Sequence, residues 1–179
     1  NVFSLAAGET KRITLTLTLP FGPDPRVLAG PPPDLTTLTV SSTRFVTVTD
    51  SVVDTTNVLP KFDLVVTPLE REGFGAPESP NNIVRYVHKL VNKGNVTQTV
   101  QVQTRSDRGW LTEVSTDTIT LAPGDDNARF LTVSVTVPPG TQAGTIEKTY
   151  IDLIVPGDPG ESQTITDTTH AELAPDALL

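Results

Sequence analysis

Apolar and polar residues alternate with a period of two through most of the chain. In Ile83–Val91 the residues Val84, Tyr86, His88 and Leu90 share one face, while Arg85 and Lys89 point the other way. Leu131, Val133, Val135 and Val137 alternate in the same manner through Arg129–Val137, as do Ile151, Leu153 and Val155 through Lys148–Val155. Phe62–Thr67, Thr97–Thr104 (Val100 and Val102 on one face), Thr116–Leu121 and Gln163–Thr168 bring the set to about seven strands. No stretch of ten residues carries a helical stripe. Short strands at this spacing, separated by turn residues, predict an antiparallel β-sandwich.

The connections have their own chemistry. Pro68 ends the first of these strands, and residues 69–82 are charged and rich in Gly and Pro, which predicts a loop. Asn92-Lys93-Gly94-Asn95 reads as a turn in which Gly94 is free to take a positive φ. Nearer the start, Arg12–Leu19, Leu35–Ser41 and Arg44–Val53 are strand-like. Between the first two lies Phe21–Asp34, with Pro23, Pro25, Pro31, Pro32 and Pro33. Proline has no N–H for a ladder, so this insertion is expected to be a stiff, extended surface loop, with a groove-docking ligand as the sharper alternative.

The two ends of the chain echo each other. Leu5-Ala6-Ala7-Gly8-Glu9 followed by an alternating strand matches Leu121-Ala122-Pro123-Gly124-Asp125 at an offset of 116, and Asp54-Thr55-Thr56 matches Asp167-Thr168-Thr169 at 113. Two anchors at nearly one spacing predict a unit of roughly 115 residues. Residues 59–172 then form one complete unit. Residues 1–58 correspond to the second half of another, and 173–179 are either a tail or the start of a further one.

Composition narrows the class of job. Of 179 residues, 13 are Lys or Arg and 21 are Asp or Glu, a net charge of -8 that argues against nucleic acid as a partner. Threonine supplies 29 residues and proline 16, a bias toward strands and turns. Without cysteine there is no disulfide framework, thiolate metal site or thiol nucleophile. No apolar run approaches the length of a membrane span, and no signal peptide is present. The chain begins at Asn1 and has no Met, as a processed product or a fragment would.

Tyr86-Val87-His88-Lys89-Leu90-Val91-Asn92-Lys93-Gly94-Asn95 resembles the Y-x-H-x-L-x-N-x-G-N stretch of tandem immunoglobulin-like repeats in bacterial cell-surface and secreted proteins. Gly109-Trp110, Leu121-Ala122-Pro123-Gly124 and Val137-Pro138-Pro139-Gly140 are similar to the same repeats. The resemblance covers residues 62–171 well and 4–58 by half. It implies an all-β chain of tandem immunoglobulin-like sandwiches, the first incomplete, exported to the extracellular space or cell surface. Such modules occur in surface-layer and cell-wall-associated proteins, and as non-catalytic companions of secreted glycosidases. The first unit lacks the Tyr-His-Leu-Asn-Gly-Asn half.

Single residues add little chemistry. His88 lies on an apolar face with no second His and no carboxylate supplied by a motif, and reads as a core histidine rather than a ligand or base. Trp110 reads as a core cap rather than a sugar platform. Asn92 and Asn95 are expected to bond their own turn, and Asn95-Val96-Thr97 is a formal glycosylation sequon. Asp125-Asp126-Asn127 offers oxygen ligands without a full calcium loop, and Asp152, Asp158 and Glu161 form no ligand pattern. No catalytic, cofactor-binding or metal-binding residue is assigned, and the expectation is that the protein is not an enzyme.

The half unit is the unusual feature. Ile13, Leu15, Leu17, Leu19, Leu38, Val40, Val46 and Val48 would form one apolar face. Leaving about eight such residues wet costs on the order of 10 kcal/mol. The expectation is therefore a structural module of an extracellular filament, S-layer or similar assembly. It would act by self-association, through other copies of itself or neighbouring repeats of a longer chain, with strand complementation of the first half. The rival is a carbohydrate-binding accessory module of a secreted glycosidase or adhesin.

Overall fold

The structure, a computed structural model, describes residues 2–18, 28–30, 32–78 and 82–172. The chain is all-β. Among the described residues two strands, β1 (Asp34–Ser41) and β2 (Thr49–Thr56), pair only with each other. Nine more follow: β3 (Leu64–Thr67), β4 (Glu70–Gly75), β5 (Ile83–Asn92), β6 (Gln98–Ser106), β7 (Thr112–Val114), β8 (Thr118–Leu121), β9 (Arg129–Thr136), β10 (Ile146–Ile154) and β11 (Gln163–Ala171). They form an immunoglobulin-like sandwich. One sheet has the order β3-β5-β9-β7 and the other β4-β11-β10-β6-β8.

The alternation in sequence becomes the two sides of each sheet. β10 and β11 bury every second residue, and Ile151, Leu153 and Ile165 are fully enclosed. Leu131, Val133, Val135 and Val137 face them from the other sheet, with Tyr86 and Leu90 of β5. Trp110 joins this core, only 7% exposed, so its ring is not a free platform for a sugar.

Two elements depart from the sequence expectation. Residues 70–75, expected as loop, are the edge strand β4, parallel to β11 from Thr166↔Glu70 to Ala171↔Gly75. An edge strand has only one ladder to satisfy, so charged residues such as Glu70, Arg71 and Glu72 suit it, and the alternation is lost. Gly73 is required there because a Cβ would run into the Val84 side chain and the Tyr86 hydroxyl. Pro68 ends β3 and the chain crosses to the other sheet. The short β7 is the second departure, since its three residues carry no readable period.

Residues 1–58 depart further. Arg44–Val48 is a turn, not a strand: the Ser42 hydroxyl accepts the Arg44 and Phe45 N–H groups, and the Val48 carbonyl accepts the Ser42 N–H. Val46 and Val48 therefore leave the expected apolar face, and Val52 joins it instead. Residues 12–18 form no strand. Leu19, most of the proline-rich insertion and the tail 173–179 lie outside the described residues.

Candidate assembly surface

In the sandwich, β5 carries Tyr86 and His88 inward, and both reach across the core to β11. His88 Nε2 lies 3.1 Å from Oδ2 of Asp167 and Nδ1 lies 2.8 Å from the Pro68 carbonyl oxygen. Neither His88 nor Asp167 has any exposed surface. The Tyr86 hydroxyl sits 2.7 Å from Thr169 Oγ1 and donates to the Thr168 carbonyl at 3.0 Å. Burial pushes the Tyr86 hydroxyl up to about 12, the Thr169 hydrogen bond opposing the rise and the Asp167 and Glu72 carboxylates adding to it. These groups fasten one sheet to the other and are enclosed in the core.

The reading of His88 as a core residue matches its position, with one correction. A carboxylate is poised against it after all, brought by strand pairing from the far end of the unit. Glu147 is a buried acid that the sequence does not single out. It is fully enclosed on β10, where its Oε2 accepts the Arg108 N–H at 2.9 Å while Oε1 binds the Ser106 hydroxyl.

The Asn-x-Gly-Asn turn is a junction device. Asn92 Nδ2 donates to the Val96 and Leu121 carbonyls, and its Oδ1 accepts the Gly94 N–H. Asn95 instead holds the segment entering the sandwich: Oδ1 accepts the Lys61 N–H at 2.7 Å and Nδ2 donates to the Leu59 carbonyl. Its own carbonyl accepts the Ala29 N–H from the first unit at 2.9 Å. Both ends of this amide are engaged at the sequon position. Gly94 does not take a positive φ. It is glycine because a Cβ would overlap the Lys61 carbonyl oxygen.

The remaining acidic candidates hold loops and strand ends in place. Asp125 pairs with the Lys93 ammonium, and Asn127 Nδ2 donates to the Pro123 carbonyl. Asp158 accepts the Gly160 N–H, Asp152 the Thr164 hydroxyl, and Glu161 the Leu64 N–H. Among the described residues no three His, Asp or Glu side chains gather as a metal site. No helix among them is long and apolar enough to cross a membrane.

The β1–β2 hairpin is the surface that stands out. Its ladder from Asp34↔Thr56 to Val40↔Asp50 repeats the β10–β11 ladder from Glu147↔Thr169 to Leu153↔Gln163, every residue displaced by 113. The turn before each unit's last strands also uses a positive-φ glycine, Gly8 at 79° and Gly124 at 102°. The face that is core in one place is only partly covered in the other, where Thr36, Leu38 and Thr56 are half-buried. Thr149, Ile151, Leu153, Ile165, Asp167 and Thr169 have no exposed surface. Their counterparts are Thr36, Leu38, Val40, Val52, Asp54 and Thr56, and of these Val40 is 42% and Val52 53% exposed.

The same correspondence explains why residues 12–18 form no strand. They stand where β9 stands in the complete unit, and β9 pairs with β5 and β7. Among the described residues, 12–18 join no ladder. β1 and β2 persist because they are each other's partner. Ile13, Leu15 and Leu17 are accordingly 43%, 47% and 46% exposed.

No family model and no curated protein matches the chain. Among solved structures it is similar to the YadV chaperone, at 13% identity and a TM-score of 0.43, over 61% of this chain and 52% of that one. It is similar also to the CsuC-CsuE chaperone-tip adhesion subunit pre-assembly complex from the archaic chaperone-usher Csu pili of Acinetobacter baumannii (10%, 0.42, 61% and 52%). A third is a FixG-related protein from Vibrio parahaemolyticus (15%, 0.42, 64% and 97%). The chain thus spans about half the length of the first two. Likeness of this degree carries no statement of function.

Proposed function

We propose that the protein is a non-catalytic structural module of an extracellular or cell-surface assembly, which associates by completing immunoglobulin-like units with further β-strands. The observation that carries the reading is the β1–β2 hairpin, which holds the register and residue types of a sandwich core without a covering sheet. A two-stranded ribbon is marginal in water, and exposed apolar faces with free edges favour association. Absence of cysteine and methionine suits an oxidising exterior, because no thiol or thioether is there to react. The buried His88–Asp167 and Tyr86–Thr169 contacts of the sandwich join its two sheets, which fits a spacer.

Light scattering and hydrogen exchange on the purified 179-residue chain test this. The expected result is a mass that rises with concentration, with β1–β2 amides exchanging fast when dilute and slowly when concentrated. A monomer at all concentrations whose β1–β2 amides are as protected as those of β10–β11 would overturn the reading.

A further inference from the structure

We infer that the uncovered face of β1–β2 is built to receive a strand with a Tyr-x-His pair of the β5 kind, carried by polypeptide outside residues 1–179, its histidine set against Asp54. The inference rests on the assembly reading above and names the occupant. In the complete sandwich the two inward polar residues of β11 are Asp167 and Thr169, and their partners are His88 and Tyr86 of β5. In β2 the residues at those register positions are Asp54 and Thr56, identical in type. The apolar positions between them and across the ladder keep their character: Leu38 for Ile151, Val40 for Leu153, Val52 for Ile165.

An aspartate in the middle of a core-facing row is costly to bury unless a hydrogen-bonding cationic or donor group meets it. Wholly apolar cover would strand Asp54, whereas a histidine two residues from a tyrosine satisfies Asp54 and Thr56 together. The same strand has a ladder waiting. β5 pairs with β9 so that His88 lies opposite Leu131 and Tyr86 opposite Val133. In the first unit these positions fall to Leu15 and Leu17, both half-exposed.

A second copy of this chain is a poor donor of the β5 strand itself, so association of the purified chain would pair its open β1–β2 faces. Its Tyr86 and His88 are 2% and 0% exposed, so donation would require opening a finished sandwich.

The test adds a synthetic peptide with the sequence of residues 82–95 to the isotope-labelled 179-residue chain and follows amide shifts. Saturable binding is expected, with shifts at Leu15, Leu17, Val52, Asp54 and Thr56 and none at Asp167. Affinity is expected to fall at least tenfold when the peptide carries His88→Ala or the chain carries Asp54→Ala. Binding indifferent to both substitutions, absence of saturable binding, or shifts centred on β9 and Asp167 would each overturn the inference. Concentration-dependent association of the chain through β1–β2 that the peptide fails to compete would leave the assembly reading standing and identify a second copy as the occupant.

Discussion

His88 and Asp167 are 79 residues apart in sequence and meet at 3.1 Å in the core, where neither touches solvent. Their contact joins β5 to β11 and so sheet to sheet. Removing one member of such a pair leaves a polar group buried without its partner, a loss of about 3–5 kcal/mol. Each of His88→Ala and Asp167→Ala is expected to destabilise the sandwich by that order. The double substitution to leucine is expected to cost less than the sum of the two single leucine variants. Urea unfolding followed by the fluorescence of Trp110, the only tryptophan, measures all of these. Strict additivity would show that the two residues act separately.

Tyr86 makes stability depend on alkaline pH. Its hydroxyl ionises near 10 when unfolded and near 12 when folded, so the folded chain holds this proton more tightly. The stabilisation is complete below pH 10 and is lost as pH rises toward 12, about 3 kcal/mol in all. Tyr86→Phe is expected to flatten the unfolding free energy over that window. At neutral pH the same variant loses the hydrogen bonds to Thr169 and the Thr168 carbonyl, at about 1 kcal/mol. Denaturant curves at pH 7, 10 and 11.5 on both proteins separate the two effects. An unchanged pH slope in the variant would assign the alkaline loss to other groups.

Local period accounts for the part of the fold that is legible in the sequence. β5, β9, β10 and β11 show there because each buries one side and wets the other. β4 does not, because an edge strand needs no apolar row, and its Gly73 reflects the approach of Val84 and Tyr86 rather than a turn. The polar core is half legible. His88 stands on an apolar face, but its partner Asp167 is supplied by tertiary pairing, which no spacing rule reaches. Residues 12–18 have a strand's alternation and no strand, since a ladder is a property of two segments and theirs is not among the described residues. Local pattern proposes an element, and a hydrogen-bonded neighbour decides whether it forms.

Gly94 offers a test of the junction between the units. Its α-carbon lies against the Lys61 carbonyl, and the neighbouring Asn95 N–H and side chain hold Lys61 on the same side. Gly94→Ala must push the 59–63 segment away from the turn, and a loss of about 1–3 kcal/mol is expected. Proteolysis should then begin between Val58 and Lys61, where the released backbone becomes accessible. If the variant is as stable and as resistant as the parent, the turn yields more easily than this contact implies.

Leu153 and Val40 occupy one register position in two environments. Leu153 has no exposed surface, whereas Val40 is 42% exposed. Leu153→Ala is expected to cost about 2–5 kcal/mol through lost burial and the cavity it leaves. Val40→Ala in the dilute chain is expected to change stability by less than about 0.5 kcal/mol, as at an ordinary surface site. Ile165→Ala and Val52→Ala form a second such pair, on the neighbouring strands. The contrast should shrink under conditions where the hairpin is covered. At concentrations that drive association, Val40→Ala and Val52→Ala are expected to weaken the assembly, because each then removes apolar surface from an interior. Equal losses from Val40→Ala and Leu153→Ala in dilute monomer would mean that the hairpin face is already sealed by its own chain.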